Sequence, residues 1–289
     1  MKPPLVLIAD SGSTKTAWCL LSAKSKKRIH TQGISPYFLS AEQITEVLKK
    51  ELLPSMPAGR GDIAEVHFYG TGLADPQNAR LLKKILNGLF PGSSVHVTHD
   101  LMGAARALCG HAGGIACILG TGSGACYFNG KKITKSSPGL GFILGDEGSG
   151  ALLGKKVLQY YLYHTFDETL YALFEQKYHT GRDAILEQVY KKPYPNRYLA
   201  SYSYFLSENR GHFMVENILE DGLNEFFSMH VVSYTESRNH PVHFTGGAAW
   251  AYRDIIRALC GSYQLTPGNI IKAPIDGLIR YHTEELEGR

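Results

Sequence analysis

Leu5-Val6-Leu7-Ile8-Ala9-Asp10-Ser11-Gly12-Ser13-Thr14-Lys15-Thr16 is the stretch whose reading decides the fold. A short apolar run ends on a carboxylate. Small and hydroxylic residues follow, then a lysine, then a second apolar run, Thr16–Leu21. Apolar runs of this length bounded by turn residues read as strands, so the stretch predicts a hairpin with Asp10 at a strand end. Small residues in such a turn let backbone N–H groups point at a phosphate. Lys15 adds a point charge, and Asp10 can hold Mg²⁺, a hard cation that prefers oxygen. The motif is not a P-loop, because G-x-x-x-x-G-K-[ST] is absent. An ordinary polar hairpin is the competing reading.

Outward from this hairpin, Lys27–Thr31 reads as a third strand, with Lys24–Lys26 in the turn before it. Ala41–Leu53 carries apolar residues at helical spacing behind the cap Ser40, and Pro54 and Pro57 are expected to stop it. Val66–Tyr69 is a strand that leads to the turn Gly70-Thr71-Gly72. A helix over Asp75–Leu89 follows, then a strand over Ser94–Thr98 ending at His99-Asp100, then a helix over Leu101–Cys109.

At Gly113 the pattern restarts. A strand at Gly114–Leu119, a glycine turn at Gly120–Gly124 and a strand at Ala125–Phe128 repeat the layout of residues 5–21, up to a hairpin at Asn129-Gly130. From Gly148 to about Ser237 the chain reads as mostly helical, with Pro193-Tyr194-Pro195 as an irregular link. A strand at Val242–Thr245 precedes Gly246-Gly247, a helix is expected over Ala248–Cys260, and Ile275–Glu287 reads as a terminal helix.

Four further motifs could carry chemistry. Leu119-Gly120-Thr121-Gly122-Ser123-Gly124 could cradle a second phosphate, or be a glycine-rich hairpin and nothing more. Phe244-Thr245-Gly246-Gly247-Ala248-Ala249 sits at a strand-to-helix turn where glycines admit a flat ring or a phosphate, or merely cap the helix. His99-Asp100 lies at a strand end, where ligands bind in open α/β sheets. Asp100 could take a proton from a hydroxyl, cap the next helix, or do both, while His99 is better read as packing. The run Pro138–Gly150 holds the carboxylates Asp146-Glu147 among glycines and apolar residues. They could bind sugar hydroxyls, or Glu147 could complement the dipole of the following helix.

Composition narrows the field. A chain of 289 residues suits one large or two modest domains. With 44% hydrophobic and 19% charged residues it can build a packed core. The 31 glycines have no period of three, which excludes collagen, and they cluster at the motifs above. A net charge of +4, without a basic cluster interleaved with aromatics, argues against a nucleic-acid surface. The five cysteines contain no C-x-x-C and sit mostly in apolar runs, as buried thiols in a reducing compartment would. No apolar run is long enough to span a membrane, and the few residues before Asp10 leave no room for a signal peptide. A cytoplasmic protein is expected.

In this order, the motifs resemble the actin/hexokinase/Hsp70 superfamily of two-lobed ATP-binding proteins. Asp10–Thr16 looks like its first phosphate motif, Leu119–Gly124 its second and Phe244–Ala249 its adenosine motif. Gly145-Asp146-Glu147-Gly148-Ser149, taken with Gly120-Thr121-Gly122-Ser123, resembles the N-acetylglucosamine kinase branch of the BadF/BadG family. The resemblance implies an α/β, two-lobed actin-like (ribonuclease H-like) fold with duplicated mixed sheets and a cleft between them. One lobe would comprise residues 1–110 with 275–289, the other residues 111–274.

It also implies an ATP-dependent kinase acting on the 6-hydroxyl of an amino sugar, N-acetylglucosamine or a close relative. Asp10 would order Mg²⁺. Gly12, Ser13, Thr14, Lys15, Gly120 and Thr121 would face the phosphates, and Gly246, Gly247 and Ala248 the adenosine. Asp100 would be the general base. Gly122, Ser123, Gly139, Leu140, Gly141 and Asp146 would line the sugar pocket. The expected partners are a small-molecule sugar and a second copy of the chain, with no nucleic acid and no membrane.

One loop departs from the family. Gly33-Ile34-Ser35-Pro36-Tyr37 stands where the family usually supplies an Asn to the sugar, so N-acetylmuramic acid, glucosamine or an anhydro sugar remain open. An iron–sulfur activator ATPase of the same family would want bridging cysteines, which the Asp146 segment lacks. A sugar-kinase-like regulator would want a helix-turn-helix ahead of Asp10. A kinase for a non-sugar substrate is the remaining alternative.

Overall fold

The computed structural model describes residues 5–22, 25–56 and 63–288. Lys24, expected in a hairpin turn, and Pro57, expected to stop a helix, lie outside the described residues. The chain divides into two compact units: Met1–Ala112 with Gly130–Lys132 and Ala273–Arg289, and Gly113–Asn129 with Ile133–Lys272.

The first unit holds β1 (Leu5–Ser11), β2 (Lys15–Leu21), β3 (Lys26–Gln32), β4 (Ile63–Gly70) and β5 (Ser94–His99) in the spatial order β3-β2-β1-β4-β5. β1 runs antiparallel to β2 and parallel to β4, and β4 runs parallel to β5. The second unit holds β6 (Gly113–Leu119), β7 (Ser123–Asn129), β8 (Ile133–Ser136), β9 (Val242–Thr245) and β10 (Pro267–Ile271) in the order β10-β9-β6-β7-β8. β6 is antiparallel to β7 and parallel to β9. The two sheets thus share one topology, and the repeat expected from layout is a repeat of connectivity. The motifs 10–16 and 119–124 sit at the same hairpin of their units, β1–β2 and β6–β7. This is the two-lobed α/β actin-like fold.

Alternation along the first sheet explains its two faces. Leu7, Ala9, Val66, Phe68 and Val95 pack with Trp18 against Ile44, Leu48, Leu82 and Leu86 from the helical segments 41–52 and 76–89. The other face carries Glu65, His67 and Tyr69. Tyr69 is buried and bonds both His282 Nε2 at 2.9 Å and Arg106 at 2.7 Å. The helix Ile275–Glu287 packs there on Asp100–Cys109 so closely that a Cβ on Gly277 would strike the Ala107 backbone. In the second unit a larger core joins Leu119, Phe244, Phe226, Phe227, Ile256 and Cys260.

Several elements differ from expectation. Pro54 does not stop its helix: Ala41–Val47 widens into an i→i+5 turn over Leu48–Leu52, and Pro54 sits inside the final turn Leu53–Ser55. The wide turn makes room for a proline ring that would otherwise meet the carbonyl four residues back. Ser40 does cap the start, reciprocally with Gln43. The helix expected over Ala248–Cys260 is broken at Tyr252 into Gly247–Ala251 and Arg253–Ser262. β8 and β10 lie outside the strands expected from sequence. Cys19, Cys117, Cys126 and Cys260 are buried, as expected. No helix of the described residues is long and apolar enough to cross a membrane.

Candidate active site

In the first unit, Asp10 closes in register with Ala17 across the hairpin and with Tyr69 on β4. The turn Gly12–Thr14 is pinned by Gly12 N–H to Lys15 O (3.0 Å) and by Gly33 N–H to Thr14 O (3.0 Å). Beneath it, the buried hydroxyls of Ser11 and Thr16 are 2.7 Å apart, and Ser11 Oγ also receives the Ile34 N–H at 3.1 Å. These two hydroxyls are used up in the scaffold. Gly33 is glycine for packing: a Cβ there would lie 2.5 Å from Gly12 O. Gly12, Thr14 and Lys15 are exposed, and Ser13 is half-buried.

Asp100 opens the helix Asp100–Cys109; the helix starts one residue earlier than expected, and Asp100 is its first residue rather than its cap. Its carboxylate accepts the Leu101 N–H at 2.9 Å and the Thr71 hydroxyl. Thr71 is the first residue after β4, at the start of the turn 71–74, and in the sequence it shows only turn chemistry. Its place at a strand end beside Asp100 was the available signal. His99 forms no side-chain cap, and burial holds its imidazole below the usual histidine range. Burial, then the Asp100 charge, push Asp10 up to about 7, with Lys15 opposing. Burial likewise raises Asp100, against the pull of His99, the Leu101 N–H and the Thr71 hydroxyl. Two carboxylates that share a site and are both raised are short of positive charge.

In the second unit, the turn Gly120–Gly122 closes on itself through Gly120 N–H to Gly122 O (2.9 Å). It is tied to the helix Gly150–Leu162 by Gly150 N–H to Gly120 O (2.8 Å) and Ala151 N–H to Thr121 O (3.1 Å). Ser149 caps that helix by accepting the Leu152 N–H. The helix N-terminus is therefore satisfied by protein, which leaves the turn's own backbone to meet a ligand. Asp146 sits in the left-handed region at φ 60° and accepts the Ser123 N–H at 3.1 Å. A Cβ on Gly122 would come within 2.9 Å of that carboxylate. Burial raises the Asp146 pKa, Glu147 adds to it, and the Ser123 N–H and His230 oppose. Glu147 is not the helix cap: it pairs with His230 Nε2 at 2.7 Å.

The third motif is shaped by close approach. Gly246 has φ 121°, and a Cβ there would strike the Leu119 carbonyl. Gly247 is exposed and opens the five-residue helix Gly247–Ala251, with Ala248 half-buried beside it. Gly139, Leu140 and Gly141 are all exposed, and Gly141–Leu144 forms a short helix.

Some glycines have no reason within the protein itself. At Gly12, Gly120 and Gly247 the φ angle is not positive, and a Cβ would meet no protein atom closer than 3.8 Å. Neither conformation nor packing requires glycine there, and what the missing side chains leave is room beside bare backbone. Among the described residues, five buried hydroxyls have no partner; Tyr178 and Ser237 lie away from the motifs, whereas Ser35 Oγ, Ser123 Oγ and Thr245 Oγ1 lie within them or in the loop 33–37. Native proteins rarely leave such groups unsatisfied, so each of these three invites a polar ligand. Ser123 is one of the residues expected in the sugar pocket, and Ser35 stands in the loop that departs from the family; Thr245 carries no signal of its own, because a sequence does not show which hydroxyls the scaffold consumes.

No family model matches the sequence, and no curated protein does. Among solved structures, the candidate N-acetylglucosamine kinase of Porphyromonas gingivalis is 38% identical, covers 96% of this chain and 99% of its own, and superposes with a TM-score of 0.92. The candidate N-acetylglucosamine kinase of Chromobacterium violaceum shares the fold at 16% identity and TM-score 0.75, over 96% of this chain and 99% of its own. MreB 5 of Spiroplasma citri, bound to AMPPNP, shares it at 12% identity and TM-score 0.62, over 100% and 97%. With the ordered phosphate, adenosine and Asp146-Glu147 motifs, and an identity of 38% over nearly all of both chains, this protein belongs to the BadF/BadG/N-acetylglucosamine kinase-like family of the actin/hexokinase/Hsp70 superfamily.

Proposed function

We propose that the chain is an ATP-dependent sugar kinase that passes the γ-phosphate of ATP to the 6-hydroxyl of an amino sugar, N-acetylglucosamine or a close relative such as N-acetylmuramic acid or glucosamine. The observation that carries this reading is the pair Asp10 and Asp100, two half-buried carboxylates at the strand ends of one sheet, both held above the usual carboxylate range. A divalent cation and a substrate proton are what such a pair lacks.

Asp10 would hold Mg²⁺. The donor set fits, since carboxylate oxygen suits a hard cation, and a cation there would offset the burial and the Asp100 charge that raise the Asp10 carboxyl. Bound Mg²⁺ would supply charge neutralisation for the phosphates. Ser13, Thr14, Lys15 and Thr121 would face the phosphates with backbone N–H groups and the Lys15 ammonium, and Gly12 and Gly120, whose own N–H groups are used within their turns, would leave room beside them. Gly246, Gly247 and Ala248 would take the adenosine.

Asp100 would act as general base. The 6-hydroxyl oxygen forms a bond to the γ-phosphorus while its proton passes to the Asp100 carboxylate. The bond from phosphorus to the bridging oxygen breaks, and ADP leaves with that electron pair. The Leu101 N–H and the Thr71 hydroxyl fix the carboxylate's orientation for this transfer. Phosphoryl transfer is mostly positioning and charge stabilisation, which this small set can supply.

Asp146, oriented by the Ser123 N–H, would accept sugar hydroxyls, with the Ser123 hydroxyl, Gly122 and the exposed Gly139-Leu140-Gly141 turn beside it. The name of the Porphyromonas gingivalis relative supports the amino-sugar class. The activator reading loses support because four of the five cysteines are buried, where no cluster shared between subunits could reach them. A coupled ADP-release assay over a panel of amino sugars, muramic acids included, tests the proposal. Sugar-dependent ADP release with product phosphorylated at the 6-position is the expected result. ATP turnover that ignores every sugar would overturn it.

A further inference from the structure

Glu65 and His67 stand two residues apart on β4, so their side chains share one face of the sheet. His96 is the register partner of His67 on the neighbouring parallel strand β5, which places it on the same face one strand spacing away. The two imidazoles stack with centroids 4.7 Å apart and planes 9° from parallel. His67 Nε2 lies 2.8 Å from Glu65 Oε2. One ligand atom from each of the three residues lies within 4.8 Å of the other two. Glu65 and His67 are half-buried, whereas His96 faces solvent at the sheet's edge strand.

We infer that Glu65, His67 and His96 form a binding site for one divalent transition-metal ion of the Zn²⁺ class, which clips β5 to β4. Two imidazoles and a carboxylate are a donor set such ions favour, with a water in the fourth position on the open side. A tetrahedral site with bonds of about 2.0–2.1 Å spaces its ligand atoms by about 3.3 Å. The observed separations bracket that value, and the exposed His96 ring closes the remainder by turning out of its stack on His67. Ser94 Oγ, 3.0 Å from His96 Nε2, already gives that ring a hydrogen-bond partner. The site differs in kind from Asp10, an oxygen site for Mg²⁺, because Mg²⁺ demands octahedral oxygen ligands. The tie would fall on the two strands whose ends deliver Thr71 and Asp100.

The test uses the full chain, cleared of metal with a chelator. Zn²⁺ is titrated by calorimetry and by thermal denaturation, and Co²⁺ by visible absorption. One Zn²⁺ per chain, a rise in Tm reversed by chelator, and the intense bands of four-coordinate Co²⁺ are expected. Mg²⁺ at the same concentration should reproduce none of these. His96→Ala and His96→Gln, both at an exposed position, should weaken Zn²⁺ binding at least ~10-fold while their metal-free Tm stays at the wild-type value. Absence of saturable Zn²⁺ binding overturns the inference. So does Zn²⁺ binding that survives both His96 variants, or that is lost instead in Asp10→Asn.

Discussion

At the residue scale, the site divides hydroxyls and carboxylates that hold the scaffold from those that wait for a ligand. Ser11 and Thr16 belong to the first motif in the sequence, but their hydroxyls bond each other. Asp10 and Asp100 are different, because their raised pKa values have no internal remedy. Between about pH 4 and 7 the folded chain keeps a proton on Asp10 that the unfolded chain has released. Its contribution to stability is therefore present at low pH and lost as pH rises through 7. Asp10→Asn removes that loss, so without ligands its Tm should exceed the wild type by ~2 °C or more at pH 8, with the gap shrinking toward pH 5. Scanning calorimetry at the two pH values checks this, and an equal gap at both would count against it. Asp100→Asn should lower kcat at least ~10²-fold with little change in the KM for ATP, and a near-wild-type rate from a folded variant would remove the general-base role. Asp146→Asn keeps a residue that tolerates the left-handed backbone and an oxygen for the Ser123 N–H. It loses only the charge, so the KM for sugar should rise ~10-fold or more while ATP binding is nearly unaffected, as steady-state kinetics with each substrate varied would report.

At the element scale, the sequence is legible where an element is long, periodic or capped. Ser40 with Gln43, Asp75 ahead of Pro76–Leu89, and the terminal helix Ile275–Glu287 all carried their signals in the chain. β8 is four residues with none buried, and β10 begins Pro-Gly on a sheet edge, so neither shows the apolar alternation that marks a half-buried strand. The break at Tyr252 was invisible for another reason: its hydroxyl is drawn to Ser203 O (3.0 Å) and Ser207 Oγ (3.0 Å), partners remote in sequence. Glycines were legible as clusters but not by role. Gly154, in the helix Gly150–Leu162, was one more member of a cluster; in the structure a Cβ there would collide with the Leu199 carbonyl of the helix Pro195–Ser201. Gly154→Ala should therefore destabilise the second unit by about 1–3 kcal/mol, the usual range for overpacking. Gly12→Ala, where a Cβ meets nothing closer than Lys15 O at 3.8 Å, should leave Tm unchanged and weaken ATP use instead. Denaturation and ATP kinetics on the pair separate packing glycines from ligand glycines.

At the scale of the whole molecule, a duplicated topology is built from halves that are not continuous in sequence. The chain completes the second unit's sheet with β10 and then returns, from Ala273 onward, to the first unit. That return covers a sheet face the N-terminal strands cannot cover alone. Ile275, Leu278 and Ile279 are all less than a tenth exposed, and His282 holds the buried Tyr69 hydroxyl. At about 1.5–3 kcal/mol for each fully buried aliphatic side chain, the three together contribute roughly 5–9 kcal/mol before any polar contact is counted. A domain's entire stability is about 5–15 kcal/mol, so the first unit has little margin without this helix. A chain stopped after Lys272 should therefore fail to form a stable first unit, although every residue proposed for phosphate, adenosine and sugar is still present. The expected signs are a lost or strongly lowered calorimetric transition, easy proteolysis within residues 5–112, and no kinase activity, while the core of the second unit stays protected. A truncated chain that melts cooperatively with both units intact would show that the terminal helix is an accessory, and that the N-terminal strands with the helical segments 41–55, 76–89 and 100–109 suffice to hold Asp10 and Asp100 in place.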